Sequence, residues 1–328
     1  YTFGGYYTET NGSGTQMINA NGFITTNFTN TKYTANATIY AKWTETGVTL
    51  PTATRAGYTF KGWATTNTAT ESEYTAGDQY IPKAEITLYA VWVDDIAPTK
   101  PVITNSSNGK WTNSNVKITI KATDEGSGIK EYQWYENGSW TTRALTTTNG
   151  VGTITYTANR NATIRFRAVD NMGNISEEAT TEVKIDKTVP TVKVTMFDYN
   201  TFTWTASDTV GITAYAITTS STTPTSWTTT GTLTSGTQDI DSNTAYTYYV
   251  WAKDEAGNIT NGTITSYKIT KIQGTGTTLT IKENSSSGVD LGTTCVLSGT
   301  TLYIAANLNA GYTSLELTVG GETFTSGT

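Results

Sequence analysis

Two blocks of this chain occur twice, and that repetition limits it to an array of small units rather than one large core. Tyr1-Thr2-Phe3-Gly4-Gly5-Tyr6, closing on Ile39-Tyr40-Ala41-Lys42-Trp43, returns as Tyr58-Thr59-Phe60-Lys61-Gly62-Trp63, closing on Leu88-Tyr89-Ala90-Val91-Trp92. Further on, Arg167-Ala168-Val169-Asp170-Asn171-Met172-Gly173-Asn174-Ile175-Ser176 returns as Trp251-Ala252-Lys253-Asp254-Glu255-Ala256-Gly257-Asn258-Ile259-Thr260. Self-similarity at periods of tens of residues marks supersecondary units strung together. Length alone suggests two or three domains in 328 residues, and the repeats raise the number to five.

The units read as all-β. Threonine is abundant, with runs at 146–148 and 228–230, beside 20 tyrosines and 9 tryptophans. β-branched and aromatic side chains suit a pleated, half-buried surface and lose rotamer freedom in a helix. Val116, Ile118, Ile120 and Ala122 alternate with Lys117, Thr119 and Lys121, and Ile164, Phe166, Ala168 and Asp170 alternate with Thr163, Arg165, Arg167 and Val169. Phe202, Trp204 and Ala206 form one such face in the next unit, and Tyr246, Tyr248, Val250 and Ala252 another. A period of two is the strand signal.

Several function classes fall away on composition. There is no histidine and a single cysteine, Cys295, which excludes an intrachain disulfide, a Cys/His zinc site and the Ser-His-Asp or Cys-His mechanisms. With 21 basic and 27 acidic residues the net charge is −6, so no clustered basic face is expected to neutralise phosphates; a nucleic-acid partner is not expected. No apolar run approaches the roughly 20 residues that span a bilayer, so membrane insertion within this chain is not expected. Acidic pairs such as Asp94-Asp95 and Asp124-Glu125 sit in short turns or linkers, whereas a glycosidase needs two carboxyl groups across a cleft. The expectation is no active site.

Linkers divide the array. Asp94-Asp95-Ile96-Ala97-Pro98 and Asp186-Lys187-Thr188-Val189-Pro190 are acidic and end in proline. The expected units are 1–45, 46–94, 95–187, 188–272 and 273–328, with the first and last read as truncated. Gly57-Tyr58-Thr59-Phe60-Lys61-Gly62-Trp63, Tyr74-Thr75 and Leu88-Tyr89-Ala90-Val91-Trp92, with their counterparts in the first unit, resemble the Listeria–Bacteroides repeat, also called the internalin B-type repeat. The resemblance implies small β-grasp-like modules, in tandem on bacterial surface proteins. Units three and four resemble bacterial immunoglobulin-like and fibronectin type III-like sandwiches; Trp204 and Thr244–Ala252 carry the fibronectin pattern, and unit three departs from it at Ile120 and Ala162. Gly299–Ala306, Gly311-Tyr312 and Leu317–Gly321 loosely resemble a divergent repeat of the same class. Scarcity of cysteine fits a Gram-positive surface protein.

The recurring Asp-x-x-Gly-Asn, at 170–174 and 254–258, is first a hairpin signal, since glycine and asparagine tolerate positive φ and Asp bonds its own backbone two residues on. A second reading is calcium. Asp124 precedes Asp170 by 46 residues, and Asp208 precedes Asp254 by 46. In a sandwich of the immunoglobulin type these turns lie at the pole where the chain enters. Asp124 and Asp170 then meet linker residue Asp95, and Asp208 and Asp254 meet Asp186, as partial ligand sets for a cation that takes about 6–8 oxygens. Apart from that calcium, no cofactor is expected.

Trp140 and Trp227 occupy matched places, either as covers over each core or as exposed stacking surfaces for a glycan or protein. A Lys–Asn isopeptide bond from Lys117 or Lys121 to Asn174 is a further possibility. The whole reads as an elongated, non-catalytic segment on a bacterial cell surface or cell wall, a stalk or adhesin, with edge strands open to self-association. The alternatives are an accessory, carbohydrate-binding or spacer region of a secreted polysaccharide-degrading enzyme, and a subunit of an extracellular filament or phage fibre.

Overall fold

A computed structural model describes residues 1–27, 36–136, 138–141, 150–312, 316–319 and 322–325. β-strands dominate it, and the named strand pairs are antiparallel. This is the all-β class that the alternating side chains dictate.

The first two units share a local device that explains their common Phe-x-Gly. Strand Thr2–Tyr7 pairs with Tyr40–Thr44, and the register slips between Phe3 and Gly5; strand Thr59–Ala64 pairs with Tyr89–Val93 and slips between Phe60 and Gly62. Each slip is a bulge with glycine at positive φ, +102° at Gly5 and +139° at Gly62. A Cβ there would meet the Ile18 carbonyl at 2.3 Å or the Tyr74 carbonyl at 2.2 Å, so only glycine fits. The phenylalanine before the bulge then packs between two aromatics. Phe60 lies 5.4 Å from both Trp63 and Trp92, and Phe3 lies 5.2 Å from Tyr6 and 5.1 Å from Trp43. Tilted and edge-to-face packing of this kind compensates for the little surface so small a unit can bury.

Units three and four are two-sheet sandwiches. In unit three, Ser139–Trp140, Ile129–Glu136, Arg160–Asp170 and Ala179–Ile185 form one sheet and Val151–Tyr156, Val116–Lys121 and Val102–Asn105 the other. Val116, Ile118 and Ile120 interdigitate with Tyr132, Ile164, Phe166 and Val183. Lys117 and Lys121 stand on the solvent face of their strand, whereas the Asn174 side chain donates to the Asp94 carbonyl and to Asp170, so the isopeptide partners are not brought together.

In unit four, Thr191–Met196, Thr201–Ser207 and Ser235–Asp239 face a sheet of Ile212–Thr218, Thr247–Asp254, Ile259–Lys268 and Cys295–Leu297. The last of these strands lies beyond the boundary expected at 272. Cys295 and Leu297 belong to the core of unit four with Phe202, Trp204 and Val250, so the fifth stretch supplies part of the fourth unit's interior. Sequence reading misses this because a three-residue strand shows no period. The other described strands of the fifth stretch form two antiparallel pairs, Thr277–Glu283 with Leu302–Leu308 and Glu316–Val319 with Glu322–Thr325.

Candidate metal centres at two junctions

The Asp-x-x-Gly-Asn segments form the expected turns, and their asparagines also reach into the preceding unit. Asp170 Oδ1 accepts from the amides of Met172 (2.9 Å) and Asn174 (2.8 Å), while the Asp170 amide donates to the Asn174 carbonyl. Asn174 Nδ2 donates to Asp170 Oδ2 at 2.7 Å and across the junction to the Asp94 carbonyl at 3.0 Å. Unit four repeats the arrangement. Asn258 donates its amide to Asp254 Oδ1 (2.8 Å) and its side chain to Asp254 Oδ2 (2.7 Å) and the Asp186 carbonyl (2.9 Å). The asparagine is therefore a latch between units as well as a turn residue, a role that repetition alone does not reveal.

Each latch gathers three carboxylates. One oxygen from each of Asp94, Asp124 and Asp170 lies within 4.8 Å of the others, and likewise for Asp186, Asp208 and Asp254. Asp124 is pinned by the Gly128 amide at 2.7 Å and Asp208 by the Val210 amide at 2.9 Å. Asp186 accepts from Asn159 Nδ2 (3.0 Å), the Thr188 amide (2.9 Å) and Thr209 Oγ1 (3.2 Å). Asp94 accepts from the amides of Ser127 (2.6 Å) and Ile96 (3.3 Å).

The second cluster joins the three residues expected. The first contains Asp94 where the sequence reading placed Asp95, which is a correction. Asp95 turns back onto unit two, where Oδ1 accepts from Thr59 Oγ1 at 2.5 Å and Oδ2 lies 4.0 Å from Lys61 Nζ. Neighbouring residues of an extended chain point to opposite sides, so of two adjacent aspartates only one faces the next unit. At the other junction the second linker residue is Lys187, and no such choice arises.

Electrostatics makes these clusters unusual. Asp170, Asp254, Asp186 and Asp94 are only 0, 1, 3 and 5 % exposed. Among the described residues the ion pairs are Lys61–Asp95, Arg160–Glu136, Arg165–Glu178 and Lys184–Glu182, so no cationic side chain offsets either cluster. Two like charges about 4.5 Å apart repel by roughly 3–4 kcal/mol at an effective dielectric of about 20, and each cluster holds three such pairs. Buried charges are paired or bound to metals. Donors that are all carboxylate oxygens suit a hard cation such as calcium and not zinc or copper. The Ser127 side chain and amide beside Asp94 hold its carboxyl below the usual range, although the buried Ser127 hydroxyl has no hydrogen-bond partner.

The matched tryptophans differ from these sites. The Arg167 guanidinium lies 4.1 Å over the Trp140 ring, and Tyr135 meets it at 5.5 Å, edge to face. Trp227 is half-buried beside Thr228, which exchanges two backbone bonds with Tyr215. Trp140 therefore packs against its own sheet.

Residues 43–91 match the model of the Listeria-Bacteroides repeat domain. Chitinase A1 of Niallia circulans is 29% identical over 181 residues, covering 51% of this chain and 25% of its own length. Exoglucanase B of Cellulomonas fimi is 30% identical over 267 residues, covering 70% and 24%. The chain spans about a quarter of the length of these relatives. A solved structure of fibronectin(III)-like modules of Clostridium thermocellum CbhA is similar with a TM-score of 0.31 and 18% identity, over 50% of this chain and 92% of that one.

Proposed function

We propose that this chain is a non-catalytic spacer of an extracellular bacterial protein, and that calcium at its two acidic junctions fixes the angles between successive units. The observation that carries this reading is the duplicated junction: a linker aspartate, two turn aspartates and a latching asparagine recur at both ends of unit three. Carboxylates that belong to two different units are drawn together by one ion, so binding is coupled to the inter-unit angle. The cysteine-poor composition, the repeat at 43–91 and the bacterial relatives support an extracellular setting.

The partial matches to a chitinase and an exoglucanase favour a parent that degrades polysaccharide, with this chain spacing its working parts. A Gram-positive stalk or adhesin is the other context, supported by the surface-protein resemblance of the first two units. Binding to insoluble chitin and cellulose separates a spacer from a sugar-binding region. With Trp140 covered by arginine, the expected result is no retention of this chain on either polymer, and retention would overturn the spacer role. For the ion, terbium luminescence should titrate two sites per chain and be displaced by calcium. A chain that binds neither ion removes the junction mechanism.

A further inference from the structure

Strand Cys295–Leu297 is a wall between two cores. Cys295 and Leu297, 0 and 1 % exposed, point into unit four beside Phe202 and Val250. Val296 between them points the other way, onto Ile269, Ile281 and Leu291. Alternation along a strand makes this possible with three residues. The backbone is held on both sides. It pairs with Ser266–Lys268 of the neighbouring strand, and on its free side Cys295 donates to the Ser242 carbonyl (2.9 Å) and Leu297 to the Tyr199 carbonyl (2.8 Å). The Ser298 amide closes the far end on the Thr265 carbonyl at 2.8 Å. Recognition is therefore complete within the segment itself: main-chain bonds give affinity and two inward side chains give register, as when a strand is added to a sheet edge.

What joins this segment to unit four is different in kind. Thr270, Ile272, Gln273, Gly274 and Thr275 are exposed, Ile272 at 87 %, and contribute to neither core. We propose that the edge of unit four is a strand-acceptor site, and that the partner it fits is a second copy of this chain, whose 294–298 segment replaces the resident one. Exchange between identical chains conserves every contact and needs only the 270–275 connection to open. Within one chain the resident segment is favoured by an effective concentration on the order of millimolar, so the exchanged form gains with concentration and with loss of the connection.

The test keeps the full chain. A site-specific protease sequence is inserted between Ile272 and Gln273 in two populations carrying different tags, and both are cleaved under native conditions. The two pieces of each chain should stay together one-to-one through gel filtration. When the populations are mixed and held near the melting midpoint, capture of one tag should bring down the C-terminal piece of the other. Leu297→Asp should release the piece on cleavage, while Val289→Asp, at an exposed position, should not. Separation of the unsubstituted pieces on cleavage would overturn the proposal, and so would pieces that remain paired but never trade partners.

Discussion

At the scale of single residues, small geometric facts decide which side chain does what. Asp94 and Asp95 are chemically identical neighbours, yet only Asp94 faces the next unit. Asp170→Asn should therefore weaken terbium or calcium binding at that junction by at least about tenfold, the scale on which changes at metal sites act, whereas Asp95→Asn should leave it unchanged; titration of both variants checks this. Equal loss in the two would restore Asp95 to the site. Gly62 is constrained differently, by backbone: alanine there meets the Tyr74 carbonyl at 2.2 Å and φ stays at +139°. Gly62→Ala should destabilise unit two by about 1–3 kcal/mol or more, read as an earlier first transition in urea.

At the scale of elements, the sandwiches rely on both faces of their sheets. On the outer face of unit three, Arg165 forks onto Glu178 with two bonds of 2.7 Å and lies 4.5 Å over the Tyr135 ring. The arginine holds the Glu178 carboxyl below its ordinary value. A depressed folded-state pKa contributes stability that is complete above the unfolded value, about 4.3 for glutamate, and is lost as pH falls through the folded value. The difference in melting temperature between wild type and Glu178→Gln should accordingly be largest near neutrality and shrink on acidification below about 4.3. A difference that grows there instead would mean that the charge pair is not its source. On the inner side, Leu297→Ala removes a buried side chain from unit four and should cost about 2–5 kcal/mol. Because Val296 on the same strand packs in the neighbouring core, the stretches on either side of 272 should melt in one transition, as differential calorimetry would show.

For the whole molecule, the joints are of two kinds. The junctions before and after unit three are polar and acidic, and the one after unit four is a shared apolar strand. Chelation acts on the first kind only. Calcium should raise the melting temperature of units three and four and narrow the distribution of molecular dimensions seen by small-angle scattering, and excess chelator should reverse both. An unchanged melt and an unchanged scattering profile with and without calcium would remove the ion from the account. Salt and chelator should leave the joint after unit four as it is, because hydrophobic burial carries no charge to screen.

Much of this was legible in the chain before any coordinates. Alternation in Val116–Ala122 and Phe202–Ala206 identified strands and their inward faces, because a two-residue period is a local property of the backbone. The repeats announced the units, the paired Asp-x-x-Gly-Asn turns, and Asp186, Asp208 and Asp254 as one group. Three things needed tertiary structure. Which of two adjacent aspartates faces a neighbour depends on where an extended linker stops rotating with its strand. That Asn174 and Asn258 bridge units depends on two chain segments 72 to 80 residues apart. That residues 295–297 complete a sandwich begun a hundred residues earlier depends on burial from both sides, and three consecutive apolar residues carry no trace of which core each one will enter.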